Sequence, residues 1–262
     1  MATVLPHDER GSGEAVVLLH AGVADRTMWR EHLDRLAEAG YRGIALDLPG
    51  FGETPPRPGP QAPWDDVLRT MRDLDLGPAA VVGNSFGAAI ALRVAVVAPA
   101  AVRSLMLVSP PPMDDEHPSP ALQAAWDAEE DALERGDIDA ALEAVLEAWL
   151  QPVAPAALRE RLAAMQRRAF ELQARATDVS EAPDPLERDP ESLSRLQMPV
   201  LVLAGEADMP DFKRAAEEIA NAIPSARARI LEGAGHLAPL EVPDQFWGEL
   251  RAFLGGGDAV GA

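Results

Sequence analysis

A serine hydroxyl becomes a useful nucleophile only when a neighbouring base takes its proton and a third group holds that base in the right tautomer. One serine in this chain sits in a setting built for that, Gly83-Asn84-Ser85-Phe86-Gly87. It follows the β-branched pair Val81-Val82 and runs straight into the apolar stretch 88–98, so it reads as strand, sharp turn, helix. At such a turn the apex residue takes strained backbone angles, while Gly83 and Gly87 have no Cβ to strike the adjoining strand and helix. Ser85 is then expected to stand above a sheet, beside the N–H groups and the positive dipole end of the helix that follows. Without its flanking strand and helix the same pentapeptide would be an ordinary Gly/Ser turn.

Five histidines compete for the base. His7, His32 and His117 lie in a polar N-terminal stretch, on a helix face and in a Pro/Asp-rich loop, where solvated histidines are ordinary. His20, in His20-Ala21-Gly22-Val23, is read as hydrogen-bonded to nearby backbone rather than as catalytic. His236 differs, because Glu232-Gly233-Ala234-Gly235-His236 follows the strand ending at Leu231 and so lies beyond a strand's C-terminal edge, where open parallel sheets collect reactive groups. The orienting acid should come from the same edge. Gly205-Glu206-Ala207-Asp208-Met209-Pro210 follows another strand and offers Asp208, with Glu206 as its nearest rival and Asp114 as a weaker candidate after the strand ending at Val108. The order Ser85, Asp208, His236, each in a loop after its own strand, favours Asp208.

The elements needed to position these residues alternate along the chain. Ala15 to Leu19 is a continuous apolar run, as a strand buried on both faces of a parallel sheet would show, and 43–46, 79–82, 102–108, 199–204 and 226–231 also read as strands of a mostly parallel sheet. Helical patterns occupy 26–39, 64–74, 88–98, 212–222 and 245–254, and the proline-dense 54–63 reads as irregular. From 119 to 179 the strand signal gives way to about three helices, with the stripe Leu142, Val145, Leu146 and Trp149 on one face of one of them, packed on the domain beneath or partly lining a cavity. Residues 182–190 read as a linker back to the sheet, and the tail 255–262 as disordered.

The 262 residues fit one large α/β domain with an insertion. There is no Cys, which excludes disulfides, thiolate metal sites and a cysteine nucleophile. Net charge is −20, with Lys213 the single lysine, and 20 acidic against 8 basic residues fall within 113–197. That balance disfavours nucleic acid and anionic membranes as partners. The first 13 residues have neither the basic nor the apolar region of a secretory leader, and no apolar run is long enough to span a bilayer, so a cytoplasmic location is expected.

Taken together, Leu19-His20-Ala21-Gly22, Asp47-Leu48-Pro49-Gly50-Phe51-Gly52, the Ser85 elbow, Gly205-Glu206-Ala207-Asp208 and Gly235-His236 resemble the α/β-hydrolase superfamily over residues 16–254. Within it, the Asp-x-Pro-Gly-Phe-Gly loop and Gly-Asn-Ser elbow are similar to carbon–carbon bond hydrolases and enol-lactonases, and also to plain esterases. The resemblance implies an α/β fold with a sheet of about seven strands, a core formed by 1–112 and 198–262, and a helical cap over 113–197. It implies Ser85 as nucleophile, His236 as general base, Asp208 as its orienting acid, and an oxyanion hole from the N–H groups of Phe86 and Gly22, or a neighbour of Gly22 within 21–23. Two departures from the family pattern stand out. The usual His-Gly-x loop is His20-Ala21-Gly22, and so few residues precede Ala15 that one of the customary two N-terminal strands should be missing.

A serine at the elbow argues against the superfamily's haloalkane dehalogenases and epoxide hydrolases, which use aspartate. The expected activity is hydrolysis of an ester, lactone or related acyl bond of a small, mostly apolar substrate, with no metal or organic cofactor, by a monomer or homodimer. A ligand sensor with little turnover and a cofactor-free perhydrolase are the alternatives. Trp126, Trp149, Met165 and Phe170 are expected to give the cap a hydrocarbon face toward the active site, with Arg167-Arg168 either solvated or able to receive a carboxylate.

Overall fold

Every residue of Ala15–Leu19 is buried, and alternate side chains serve opposite cores: Val16 and Leu18 join one apolar cluster, Val17 and Leu19 the other. That alternation defines a sheet covered by helices on both faces. The computed structural model describes residues 4–113 and 117–256. Its first elements are β1 (His7–Gly11), β2 (Ala15–Leu19), α1 (Arg30–Glu38), β3 (Arg42–Leu46), β4 (Gly59–Gln61), α2 (Pro63–Asp73), β5 (Ala79–Asn84), α3 (Phe86–Val97) and β6 (Val102–Val108). There follow α4 (Pro120–Glu134), α5 (Ile138–Trp149), α6 (Ala156–Gln173), β7 (Val179–Glu181) and α7 (Pro185–Arg188). The chain then returns through β8 (Val200–Gly205), α8 (Pro210–Ala222), β9 (Ala226–Leu231), α9 (Ala238–Glu241) and α10 (Pro243–Leu254).

The main sheet has seven strands in the order β1-β3-β2-β5-β6-β8-β9. Only β1 runs antiparallel to its neighbour, and it is the only strand before β2 among the described residues. Residues of α2, α3 and α8 share the cluster holding Val17 and Leu19; residues of α1 and α10 share the one holding Val16 and Leu18. The parallel registers Leu19 with Gly83, Asn84 with Val108, and Gly205 with Leu231 bring the C-terminal ends of β2, β5, β6, β8 and β9 to one edge. Loops leaving those ends therefore meet.

Helices α4, α5 and α6 form the insertion between β6 and β8. Ser119 and Asp137 cap α4 and α5 by accepting the N–H of Leu122 and Ala140. The insertion has its own small core, Ala132, Ala141, Leu142, Val145 and Phe170. Its tethers over the sheet edge include the Ser119 N–H, which donates to Asp211 Oδ1 (2.9 Å), and Gln151 Nε2, which donates to the Gly233 carbonyl (3.0 Å).

The structure departs from sequence expectation in three places. Residues 59–61, within the proline-dense loop, form β4 and pair in parallel with β7, which periodicity over three residues does not reveal. The stretch 182–190 is no loose linker: it contains α7, Ala182 and Leu186 pack against the main core, and Asp184 binds Arg93 of α3. His32 is not solvated but 1% exposed, its Nε2 donating to the Pro239 carbonyl (2.9 Å) and its ring set edge-on to Phe246. The chain after β9 folds back over that face of α1, a contact no local pattern encodes. Asp114 and tail residues 257–262 lie outside the described residues.

Candidate active site

The elbow is as tight as its glycines suggested. Ser85 has φ 52° and ψ −116°, a conformation side-chain-bearing residues rarely adopt, and it stands half-buried between β5 and the first turn of α3. A Cβ on Gly83 would lie 2.2 Å from the Gly87 carbonyl oxygen, and one on Gly87 would lie 2.3 Å from that of Leu19. Glycine at these two positions is what lets strand, turn and helix close on one another.

His236 Nε2 lies 2.8 Å from Ser85 Oγ, and His236 Nδ1 lies 3.1 and 3.2 Å from the two carboxylate oxygens of Asp208. With the proton on Nδ1, the imidazole donates to Asp208 and accepts from the serine hydroxyl, an assignment set by the partners. Both His236 and Asp208 are 5% exposed. Asp208 is held in place by the Met209 N–H, which donates to Oδ1 (2.8 Å). The rings of Trp149 and Phe212 flank the imidazole at centroid distances of 4.7 and 4.4 Å, fixing its plane. The three residues singled out in sequence thus converge, although they lie on three separate loops.

The loop carrying His236 is fixed from several sides. Gly205, at the end of β8, lets the Ala234-Gly235 backbone pass so closely that a Cβ there would be 2.2 Å from the Gly235 carbonyl oxygen. Asn84 is fully buried, and its Nδ2 donates to the carbonyls of Val108 and His236 (both 3.1 Å). Glu241 accepts the N–H of Gly235 (2.7 Å) and of Gln151 (3.0 Å). Sequence reasoning missed these last two braces; the Gly-Asn-Ser triplet was the one available hint of the Asn84 role. Glu206, the rival of Asp208, instead accepts the Gly233 N–H through Oε2 (3.0 Å) and lies exposed. Glu206→Gln keeps an acceptor there, so kcat/KM should fall by less than about threefold, as an exposed substitution worth under about 0.5 kcal/mol would give. A loss of a hundredfold or more would reopen the choice of acid.

On the other side of Ser85, Gly22 packs against Phe86, with a Cβ on Gly22 only 3.5 Å from the Phe86 Cβ. His20 shapes this loop: it is fully buried, donates from Nδ1 to the Ala21 carbonyl (2.8 Å) and accepts the Leu48 N–H on Nε2 (3.0 Å). The 47–52 loop is itself braced by Asp47, which accepts the N–H groups of Arg26 and Glu53 (both 2.8 Å) and pairs with the Arg26 guanidinium. Its Phe51 ring packs on Phe86 at 5.6 Å. Sequence-motif residues at 47–52 thus support the site from behind.

Burial pushes the pKa of His20 and of His32 below the ordinary histidine value, with their carbonyl hydrogen bonds acting the other way. Between the depressed folded value and about 6.5, the unfolded chain therefore binds more protons than the folded one. Their contribution to stability is full above about pH 6.5 and is lost as pH falls toward the folded value. The urea midpoint should drop on acidification from about pH 7.5 to about 5, and less steeply in His32→Gln, which can still donate to the Pro239 carbonyl. Identical slopes in the two proteins would show that His32 does not titrate in this range.

A cavity of about 150 Å³ opens over Ser85, lined by Gly22, Val23, Val145 and Trp149 together with Glu129 and Gln166. Its wall is not the hydrocarbon surface expected from the large apolar residues of the insertion. Of Trp126, Trp149, Met165 and Phe170, only Trp149 lines it; Met165 packs into the main core and Phe170 into that of the insertion. Helical periodicity fixed which residues are buried, but not whether they face the sheet, each other or the cavity. Arg167 pairs with Asp139 and Arg168 lies 3.4 Å from Glu171, both on exposed surface away from this cavity. Among the described residues no group of three His, Asp or Glu side chains could hold a metal ion, and no helix is long and apolar enough to cross a membrane.

Comparison with known proteins places this architecture. Residues 16–249 match the model of the alpha/beta hydrolase family, and the chain belongs to that family. A thermophilic esterase from Thermogutta terrifontis superposes with a TM-score of 0.77 at 26% identity, covering 96% of this chain and 93% of that one. The polyketide synthase ThaQ of Burkholderia thailandensis is 33% identical over 256 residues, 93% of this chain and 12% of that protein. A dihydrolipoyllysine-residue acetyltransferase component of the acetoin cleaving system from Cupriavidus necator is 40% identical over 103 residues, 38% of this chain and 27% of that protein. The chain thus spans only 12% and 27% of the length of these two relatives.

Proposed function

We propose that this hydrolase cleaves ester, lactone or related acyl bonds of small substrates through a covalent acyl-serine. The observation that carries the proposal is the unbroken hydrogen-bonded chain from Asp208 through His236 to Ser85, ending under a cavity at the N-terminus of α3.

Ser85 Oγ bonds to the substrate carbonyl carbon while its proton passes to His236 Nε2, and Asp208 stabilises the imidazolium formed. The carbonyl oxygen becomes an oxyanion, held by the N–H groups of Phe86 and Gly22. The intermediate collapses, its bond to the alcohol breaks, and the departing oxygen takes the proton from His236. A water molecule then gives a proton to His236 as it attacks the acyl carbon, and Ser85 leaves, recovering that proton. No net proton or electron is gained by the protein over the cycle.

Such a cycle makes acylation and deacylation separable in time. Mixing the protein with a neutral p-nitrophenyl ester should release a burst of p-nitrophenol equal to the enzyme present, followed by sustained turnover. Release that stops after one equivalent would favour a ligand sensor. Release with neither a burst nor a trapped acyl-protein would argue against the covalent route.

A further inference from the structure

The walls of the Ser85 cavity contain two polar side chains that the proposed acyl-transfer chemistry does not use. Glu129, from α4, and Gln166, from α6, both line it. Gln166 is 4% exposed, and its Oε1 has no hydrogen-bond partner among the described residues. Burial pushes the Glu129 carboxyl above its ordinary value, and no Arg or Lys lines the cavity to offset it. A buried polar group without a partner is costly, and the cost is removed by a ligand that brings the missing donor. Trp149 adds an aromatic ring to the same wall.

A carboxylate, an amide oxygen and an indole ring around one small space have complementary needs. The carboxylate calls for positive charge, the amide for a hydrogen-bond donor, and the ring face attracts a cation. A hydroxyl has a single proton to donate and would satisfy either the amide oxygen or one carboxylate oxygen, and a methyl neither. At about 150 Å³ the space is below the usual range for drug-sized ligands, which restricts the occupant to a short chain. Resting on the reading of Ser85 as nucleophile, we propose that this cavity receives a short acyl chain ending in an ammonium group, bound by Glu129, Gln166 and Trp149. The substrate class is then aminoacyl esters or thioesters rather than neutral or carboxylated ones.

The test compares p-nitrophenyl esters of 3-aminopropanoate, butanoate and hemisuccinate, corrected for spontaneous hydrolysis, in the wild type and in Glu129→Gln. The wild type should favour the 3-aminopropanoyl ester over the butanoyl ester by about tenfold or more in kcat/KM, with the hemisuccinate poorest. A charged hydrogen bond is worth about 1.5–3 kcal/mol, or about 10- to 150-fold, so Glu129→Gln should cut the amino-to-butanoyl ratio by at least tenfold. Gln166→Met should lower the same ratio less. Labelling of Ser85 by a phosphonate in each variant checks that the site is intact. A wild-type ratio near one, or a ratio unmoved by Glu129→Gln, overturns the ammonium subsite while leaving Ser85 catalysis standing if butanoate is still cleaved. No cleavage of any of the three esters, with Ser85 unlabelled, overturns both readings.

Discussion

Ser85→Ala should fold normally and lose ester hydrolysis by about three orders of magnitude or more. The loss follows from removing the hydroxyl placed 2.8 Å from His236 Nε2. The fold should survive because the strain at φ 52° belongs to the backbone, and alanine bears it as serine does. The helix start is also untouched, since the N–H groups of Ala88 and Ala89 bond to the backbone carbonyl of residue 85. Steady-state kinetics with thermal unfolding as control would check this. Near-wild-type rates in a folded variant would remove the nucleophile assignment.

Asp208→Asn should cost up to about four orders of magnitude in turnover, again without unfolding. The Met209 N–H already holds one side-chain oxygen of residue 208, so the carboxamide oxygen stays with that donor and its NH₂ faces His236 Nδ1. Nδ1 must then accept, the imidazole proton moves to Nε2, and Nε2 can no longer take the serine proton. A structure of the variant should show the three side chains in place. A loss below tenfold would mean that another acid orients His236, and Asp114→Asn would then be the variant to compare.

How far the sequence reveals such a site depends on where each residue's position is decided. Ser85, Asp208 and His236 were legible because each lies in a loop after a strand, and glycines at 83, 87 and 205 mark close backbone approaches. The parallel sheet was legible for the same reason: apolar runs such as Val200–Gly205 are buried at every position. Glu129 and Gln166 were not legible. They sit on helices whose rotation is fixed by packing among α4, α5 and α6, and nothing in their own neighbourhood distinguishes them from the solvated acids and amides around them. His32 was misplaced because its burial depends on chain more than 200 residues later, where Pro239 and Phe246 cover it. The stripe on α5 shows three outcomes in one helix. Leu146 joins the main core, Leu142 the core of the insertion, and Trp149 the wall beside His236.

The pairing of β4 with β7 carries a similar lesson. Three residues on each strand suffice to join the proline-dense loop to the end of the insertion, and alternation cannot be read over so short a span. Its consequence is mechanical, because it gives the insertion a further attachment besides those at Ser119 and Gln151.

The account rests on Ser85 being the atom that becomes covalently attached. Incubation with a p-nitrophenyl phosphonate, followed by intact-protein and peptide mass measurement, reads this directly. The expected result is one phosphonyl group per chain, located on the peptide containing Gly83-Asn84-Ser85-Phe86-Gly87, formed in step with loss of hydrolysis and absent from Ser85→Ala. Inactivation with the label on another residue, or hydrolysis that continues after Ser85 is fully labelled, would contradict it.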